Sequence, residues 1–242
     1  MHTKCIRLLT TIGFLFFQVQ AVLAAPVVEK KDPLHVYFLT GGPIDVFSHD
    51  TVRKIKEKTI ESGKALDIPV RFEQQWFTRW RSVSKKIQAD HGRGKVVLIG
   101  HSWGAAGAVQ ISKDLSKKKI PVDLLVTIDT VSIVGISNPS AIPSNVGVNY
   151  NFYQNRDMIF HAHQRNKRQE TNDTDGIHNV KIQLGLTSSP HLKIDNKVEP
   201  LVSSQIKLLM LGRLDQLTLP DRLDNKLLAE SAAALEAKTK TY

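Results

Sequence analysis

Residues 96–106 read Val96-Val97-Leu98-Ile99-Gly100-His101-Ser102-Trp103-Gly104-Ala105-Ala106. Four consecutive apolar residues, three of them β-branched, match a short buried strand. The small residues after Gly104 open an apolar helical stretch over 105–115. A serine therefore sits on a tight strand-to-helix turn with a glycine two residues away on each side. Such a turn lifts a hydroxyl clear of the backbone, and the glycines relieve the crowding it creates. The N-terminus of the following helix favours negative charge developing beside it. The string Gly-x-Ser-x-Gly alone is a weak signal; its place between a strand and a helix makes Ser102 a candidate nucleophile.

Outward from this turn, apolar runs alternate with helical patterns. His35-Val36-Tyr37-Phe38-Leu39 is a buried strand ending in the turn Thr40-Gly41-Gly42-Pro43. Val52, Ile55, Thr59 and Ile60 share one helical face, with Ser48 as N-cap and Gly63 as stop. Residues 70–76 form a second strand, and Phe77, Trp80, Val83 and Ile87 mark a second helix. Residues 122–128 form a fourth strand with almost no polar residue inside it. Continuous apolar strands separated by amphipathic helices define an α/β class, a mostly parallel sheet flanked by helices on both faces. Beyond Asp129 the pattern loosens: residues 148–153 alternate like a strand, 156–176 read as a polar loop, and 179–184 as the last strand. Helices near 198–211 and 221–237 close the chain, and no internal repeat is present.

The chain has 242 residues with 33 Lys+Arg against 23 Asp+Glu, a formal net charge of +10, and 41% hydrophobic residues. This excludes a wholly disordered chain or a collagen-like repeat. The single cysteine, Cys5, excludes an intramolecular disulfide and a Cys-based zinc site. Lys4 and Arg7, the apolar run from Leu8 to Phe17 and the small-residue site at Val22-Leu23-Ala24 are the three parts of a secretory signal peptide. Cleavage after Ala24 leaves residues 25–242 as one exported domain. The apolar run is shorter than a bilayer span needs. The positive charge allows peripheral contact with anionic surfaces. Its clusters (Arg53, Lys54, Lys56, Lys58; Lys117, Lys118, Lys119; Arg165, Lys167, Arg168) read as solvated faces, and no specific nucleic-acid surface is expected.

A serine nucleophile needs a base, and the base an orienting acid. In a parallel sheet the strand carboxyl ends share one edge, so Asp129, ending the fourth strand, should emerge beside Ser102. Asp157, after the next strand, is the alternative acid. His191, in the loop Thr187-Ser188-Ser189-Pro190-His191, gives the chain order Ser, Asp, His. His178 is expected before the last strand, at the opposite edge, and His101 as a packing residue pointing away. His161 and His163 near Asp157 read as solvated, so no metal is expected, and no cofactor motif is present. An oxyanion hole needs two backbone N–H groups. Trp103 supplies one and Gly42 the other, with Ile44 in reserve because Pro43 has none.

These residues resemble the α/β-hydrolase superfamily, over about residues 35–211. Within it the chain is most similar to small lipase-like and thioesterase-like members; an acid one strand after the nucleophile is similar to pancreatic-type lipases. The resemblance implies Ser102 as nucleophile, Asp129 as acid, His191 as base, and ester or thioester hydrolysis through an acyl-enzyme. Ala105-Ala106 stand where many relatives carry a further glycine. No large lid is evident, because residues 130–146 are short and rich in small residues. The expected function is an exported serine hydrolase of carboxylic esters, its substrate a small-molecule ester or lipid. A thioesterase and a non-catalytic binding protein using the basic surface are the alternatives. Oligomeric state stays open, and Asn172-Asp173-Thr174 is a glycosylation site only in a eukaryotic secretory pathway.

Overall fold

The computed structural model describes residues 31–42, 48–155, 165–185 and 189–240. In chain order the elements are β1 (Leu34–Thr40), α1 (Ser48–Ala65), β2 (Val70–Trp76), α2 (Trp80–Ala89), β3 (Lys95–His101), α3 (Trp103–Ser116) and β4 (Val122–Ile128). They continue with β5 (Ala141–Ile142), β6 (Val146–Tyr153), β7 (Lys167–Arg168), β8 (Ile177–Ile182), α4 (Ile194–Met210), β9 (Arg222–Leu223) and α5 (Asn225–Lys240). Seven strands form one sheet in the order β2-β1-β3-β4-β6-β8-β9, and every pairing is parallel. β5 and β7 pair separately.

Strand side chains alternate between faces, so apolar residues at every position must be covered on both sides. Leu34, Val36 and Phe38 of β1, with Val97 and Ile99 of β3, pack in one cluster with Val52 and Ile55 of α1, Val198, Leu201, Val202 and Ile206 of α4, and Leu228 and Leu235 of α5. The intervening residues Tyr37, Leu39, Val96 and Leu98 pack on the other face with Val83 and Ile87 of α2 and Ala108, Val109, Ile111 and Leu115 of α3. The expected α/β architecture with helices on both faces is thus what the chain adopts.

β1 lies between β2 and β3, so its two neighbours are reached by crossovers to opposite sides. Such a reversal opens a crevice at the strands' carboxyl ends, the usual place for a ligand in an open α/β sheet. Gly41–Gly42 follow β1 there and Ser102 follows β3.

The sheet face over β6 and β8 is covered differently. Among the described residues no helix joins these strands; the segment from Arg165 to Gly176 lies there, tied down by amides. Asn166 donates from Nδ2 to Thr127 Oγ1 (3.0 Å) and Asn149 Oδ1 (2.9 Å). Its backbone N–H reaches Asn179 Oδ1 at 2.7 Å, and Asn179 Nδ2 returns to its carbonyl at 3.1 Å. Buried amides of this kind hold only when their partners are supplied together.

Several expectations shift in detail. α1 runs through Gly63 to Ala65, with the Ile68 N–H returning to the Gly63 carbonyl at 2.8 Å, so Gly63 is not its stop. The last strand is β9, not residues 179–184; β9 pairs with β8, and α5 therefore begins at Asn225 rather than 221. Two-residue strands such as β5, β7 and β9 carry no period to read. α4 begins at Ile194, ahead of the expected 198, because its polar first turn hides the apolar pattern. Part of each basic cluster is occupied. Arg53 and Lys54 pair with Asp50, Lys58 with Glu199 and Lys117 with Asp114. Arg168 is structural: its guanidinium donates to the carbonyls of Val146 (2.8 Å) and Asp175 (2.6 Å). Cys5 and the expected signal peptide lie outside the described residues; no described helix is long and apolar enough to cross a membrane.

His178 lies inside β8, not before it, stacked on Tyr150 with ring centroids 4.5 Å apart. Burial holds its proton affinity below the ordinary value of 6.5. The folded state then binds this proton less readily than the unfolded chain, so the group's contribution to stability is full above about pH 6.5 and lost as pH falls below it. His178→Phe keeps the stack and removes the proton. The fall in urea midpoint from about pH 7.5 to about pH 5 should be smaller in the variant than in the wild type.

Candidate active site

The strand-to-helix turn is held by contacts that leave no room for side chains at its two glycines. A Cβ at Gly100 would run into the Gly104 carbonyl and the Ala105 backbone; one at Gly104 would run into the Leu39 carbonyl of β1. α3 is thereby allowed to lie directly against β1 and β3. Ser102, between them, adopts φ 57° and ψ −123°, a conformation that costs about 1–3 kcal/mol for a residue with a Cβ. The turn is fixed from both sides. Ser102 N–H donates to the Ile128 carbonyl at 2.9 Å, and Val131 N–H donates to the Ser102 carbonyl at 3.3 Å. Ser102 is consequently built into the β3–β4 edge rather than carried on a free loop.

β4 ends at Ile128, and Asp129 follows with φ 46°. Its N–H donates to the Phe152 carbonyl of β6 at 2.7 Å, and its side chain is fully buried. His191 Nδ1 lies 2.7 Å from Asp129 Oδ2, and His191 Nε2 lies 2.9 Å from Ser102 Oγ. An ionised carboxylate only accepts hydrogen bonds, so the proton belongs on Nδ1. Nε2 is then the acceptor and the Ser102 hydroxyl the donor. Ser102 is 6% exposed and His191 2%, so the chain of three is shielded along most of its length.

Two partners escaped the sequence reading. Gln154, just past β6, donates its Nε2 to Asp129 Oδ2 (2.9 Å) and its backbone N–H to Asp129 Oδ1 (3.3 Å). The neighbouring register Ile128↔Phe152 puts it beside Asp129, a relation visible only once β6 is known to pair with β4. His101, expected to point away as a packing residue, instead touches His191. Its Nε2 is 3.1 Å from the His191 carbonyl and its ring lies 4.9 Å from the His191 ring. A residue two positions from the last buried strand apolar looks like core in sequence; the contact depends on where α4's preceding turn lands.

Trp103 opens α3, where the first N–H groups have no intrahelical partner. Its indole packs on Phe77 (centroids 5.2 Å) and over Gly42, where an added Cβ would lie 2.5 Å from the indole Cζ3. Trp103 and Gly42, the two expected oxyanion donors, are thus adjacent. Pro43 and Ile44 lie outside the described residues, as do Asp157, His161 and His163. Among the described residues no group of three His, Cys, Asp or Glu could hold a metal ion.

A seven-stranded parallel sheet with a buried Ser–His–Asp hydrogen-bond chain at its carboxyl edge defines the class of α/β protein to which this geometry belongs. No protein-family model matches the chain, and no curated protein matches it. Among solved structures it is similar to a protein of Xanthomonas campestris pv. campestris described as a "putative hydrolase of the alpha/beta superfamily". The two share 15% identity at a TM-score of 0.42, over 75% of this chain and 99% of the other.

Gly104→Ala should lower stability by about 1–3 kcal/mol or more, because both colliding groups are backbone and neither can swing aside. The urea midpoint reads this. Gly92→Ala, with open space around its missing Cβ but φ 81°, should cost less than Gly104→Ala.

Proposed function

We propose that this chain is a serine hydrolase of the α/β-hydrolase type that cleaves carboxylic esters through an acyl-enzyme. The observation that carries the reading is the unbroken hydrogen-bond chain from Ser102 Oγ through His191 to Asp129, with distances of 2.9 and 2.7 Å. His191 Nε2 takes the proton as Ser102 Oγ attacks the carbonyl carbon. Asp129 holds the ring and stabilises the imidazolium that forms. The Trp103 and Gly42 N–H groups meet the developing oxyanion, aided by the N-terminus of α3. His191 then returns the proton to the leaving alcohol, and water repeats the sequence on the acyl-serine.

His101 and Gln154 are positioning residues here: one anchors the backbone of His191, the other fixes both oxygens of Asp129. Trp76, which ends β2 at the carboxyl edge, is an exposed apolar side chain and suits an uncharged acyl or alcohol part. Thioesters would follow the same acyl chemistry. Lys4, Arg7, the apolar run from Leu8 to Phe17 and the site ending at Ala24 support an exported protein, released by cleavage after Ala24.

A fluorophosphonate probe should label the wild type and leave Ser102→Ala unlabelled, with the variant's kcat/KM on short 4-nitrophenyl esters reduced at least about 10³-fold. Asp129→Asn, which keeps the shape but reverses the hydrogen-bonding demand on Nδ1, should lower kcat by a similar order while both variants melt as cooperatively as the wild type. Equal labelling of wild type and Ser102→Ala would overturn the reading.

A further inference from the structure

A cavity of about 250 Å³ opens beside the Asp129 end of the hydrogen-bond chain. Gln154, which fixes Asp129, forms part of its wall, as does Pro190, the residue before His191. Asn155, Lys181, Gln183 and Arg222 are the other polar residues of its described lining. Lys181 and Arg222 are register partners across the parallel pair β8–β9. Their side chains leave the sheet on the same face from Cα atoms about 5 Å apart. Among the described residues neither side chain forms an ion pair, although Arg53, Lys54, Lys58, Lys86 and Lys117 all do. Asn155 and Gln183 add side-chain amides to the same lining. The cavity thus gathers positive charge and amides with no acid among its described lining residues, next to a site whose own charge is spent on His191.

We propose that this cavity binds an anionic group, a phosphate or a carboxylate, held by Lys181 and Arg222. Carried by the substrate, the group would make the preferred ester one with a fixed negative charge on the part that lies past His191. Arriving as a free anion, it would occupy a site that shares Gln154 with Asp129. The substrate form rests on the reading of Ser102 as nucleophile; the free-anion form does not. Charge-assisted hydrogen bonds from a Lys and an Arg are the strong kind, and each tenfold in affinity corresponds to 1.4 kcal/mol.

The test uses the full chain and the double variant Lys181→Gln/Arg222→Gln, with Lys181→Arg as a charge-keeping control and thermal melts to confirm folding. Calorimetry measures binding of inorganic phosphate. Kinetics compare the 4-nitrophenyl half-ester of a dicarboxylic acid, its free carboxylate ionised, with the uncharged ester of the same chain length. For a substrate-borne anion, kcat/KM on the charged ester should fall at least about tenfold in the double variant, mainly through KM, with the neutral ester unchanged. For a free-anion site, phosphate should bind the wild type and Lys181→Arg, weaken as salt rises, and bind the double variant at least about tenfold less tightly. Either result supports the proposal. Equal changes on both esters, or none, together with phosphate binding that is absent or unaffected in the double variant, overturn it. Should no ester be turned over and no fluorophosphonate label appear, the hydrolase reading fails by itself, and the phosphate titration still decides the cavity.

Discussion

The backbone of α3 rests on the backbones of β1 and β3 at Gly104 and Gly100, with no side chain between them. Helices normally stand off a sheet by the thickness of two side chains; here that spacing collapses at one point. The collapse is what bends the chain between His101 and Trp103 sharply enough to put Ser102 at φ 57°. Local propensity would not choose that conformation. It is imposed by hydrogen bonds from β4 and from the segment after Asp129, so the strain is offset by the packing of the whole parallel sheet. The hydroxyl's position is therefore a property of three strands rather than of a pentapeptide.

From that point the site grows along one edge of the sheet. Asp129 leaves β4 in a left-handed conformation, is caught by the β6 backbone, and is gripped by Gln154. His191 comes from far along the chain, at the turn that begins α4, and is braced by His101 behind it. A buried carboxylate needs every lone pair answered, and the donors here are a histidine, an amide side chain and a backbone N–H. Burial also strengthens each of these contacts, since little water competes. The arrangement lets the ring move a proton at Nε2 while its other nitrogen is pinned.

The basic excess of the chain has a less uniform meaning than its total suggests. Along α1, Arg53, Lys54 and Lys58 are tied to Asp50, Glu57 and Glu199, and Arg168 is folded onto carbonyls, where it serves as a strut for the loop beside β6. Net charge alone could not separate these from Lys181 and Arg222, whose proximity arises from strand register. The pairing of β9 with β8 rests on two residues, too few for any periodic pattern.

The amino-acid sequence determined the class of fold, because continuous apolar strands can be stable only when helices cover both faces. It also singled out Ser102, because a serine between two glycines at a strand-to-helix junction is presented on a tight turn. Asp129 and His191 were legible as types and chain order, since strand carboxyl ends must share an edge. What sequence left open was decided by tertiary structure. Gln154 joins Asp129 only through the β4–β6 register, and His101 meets His191 only because the turn before α4 descends onto β3. The asparagine cover over β6 and β8, the short strands, and the neighbouring cations of β8 and β9 depend on pairings between segments far apart in the chain. Periodicity reports how a segment meets water and core; it carries no record of which distant segment will lie beside it.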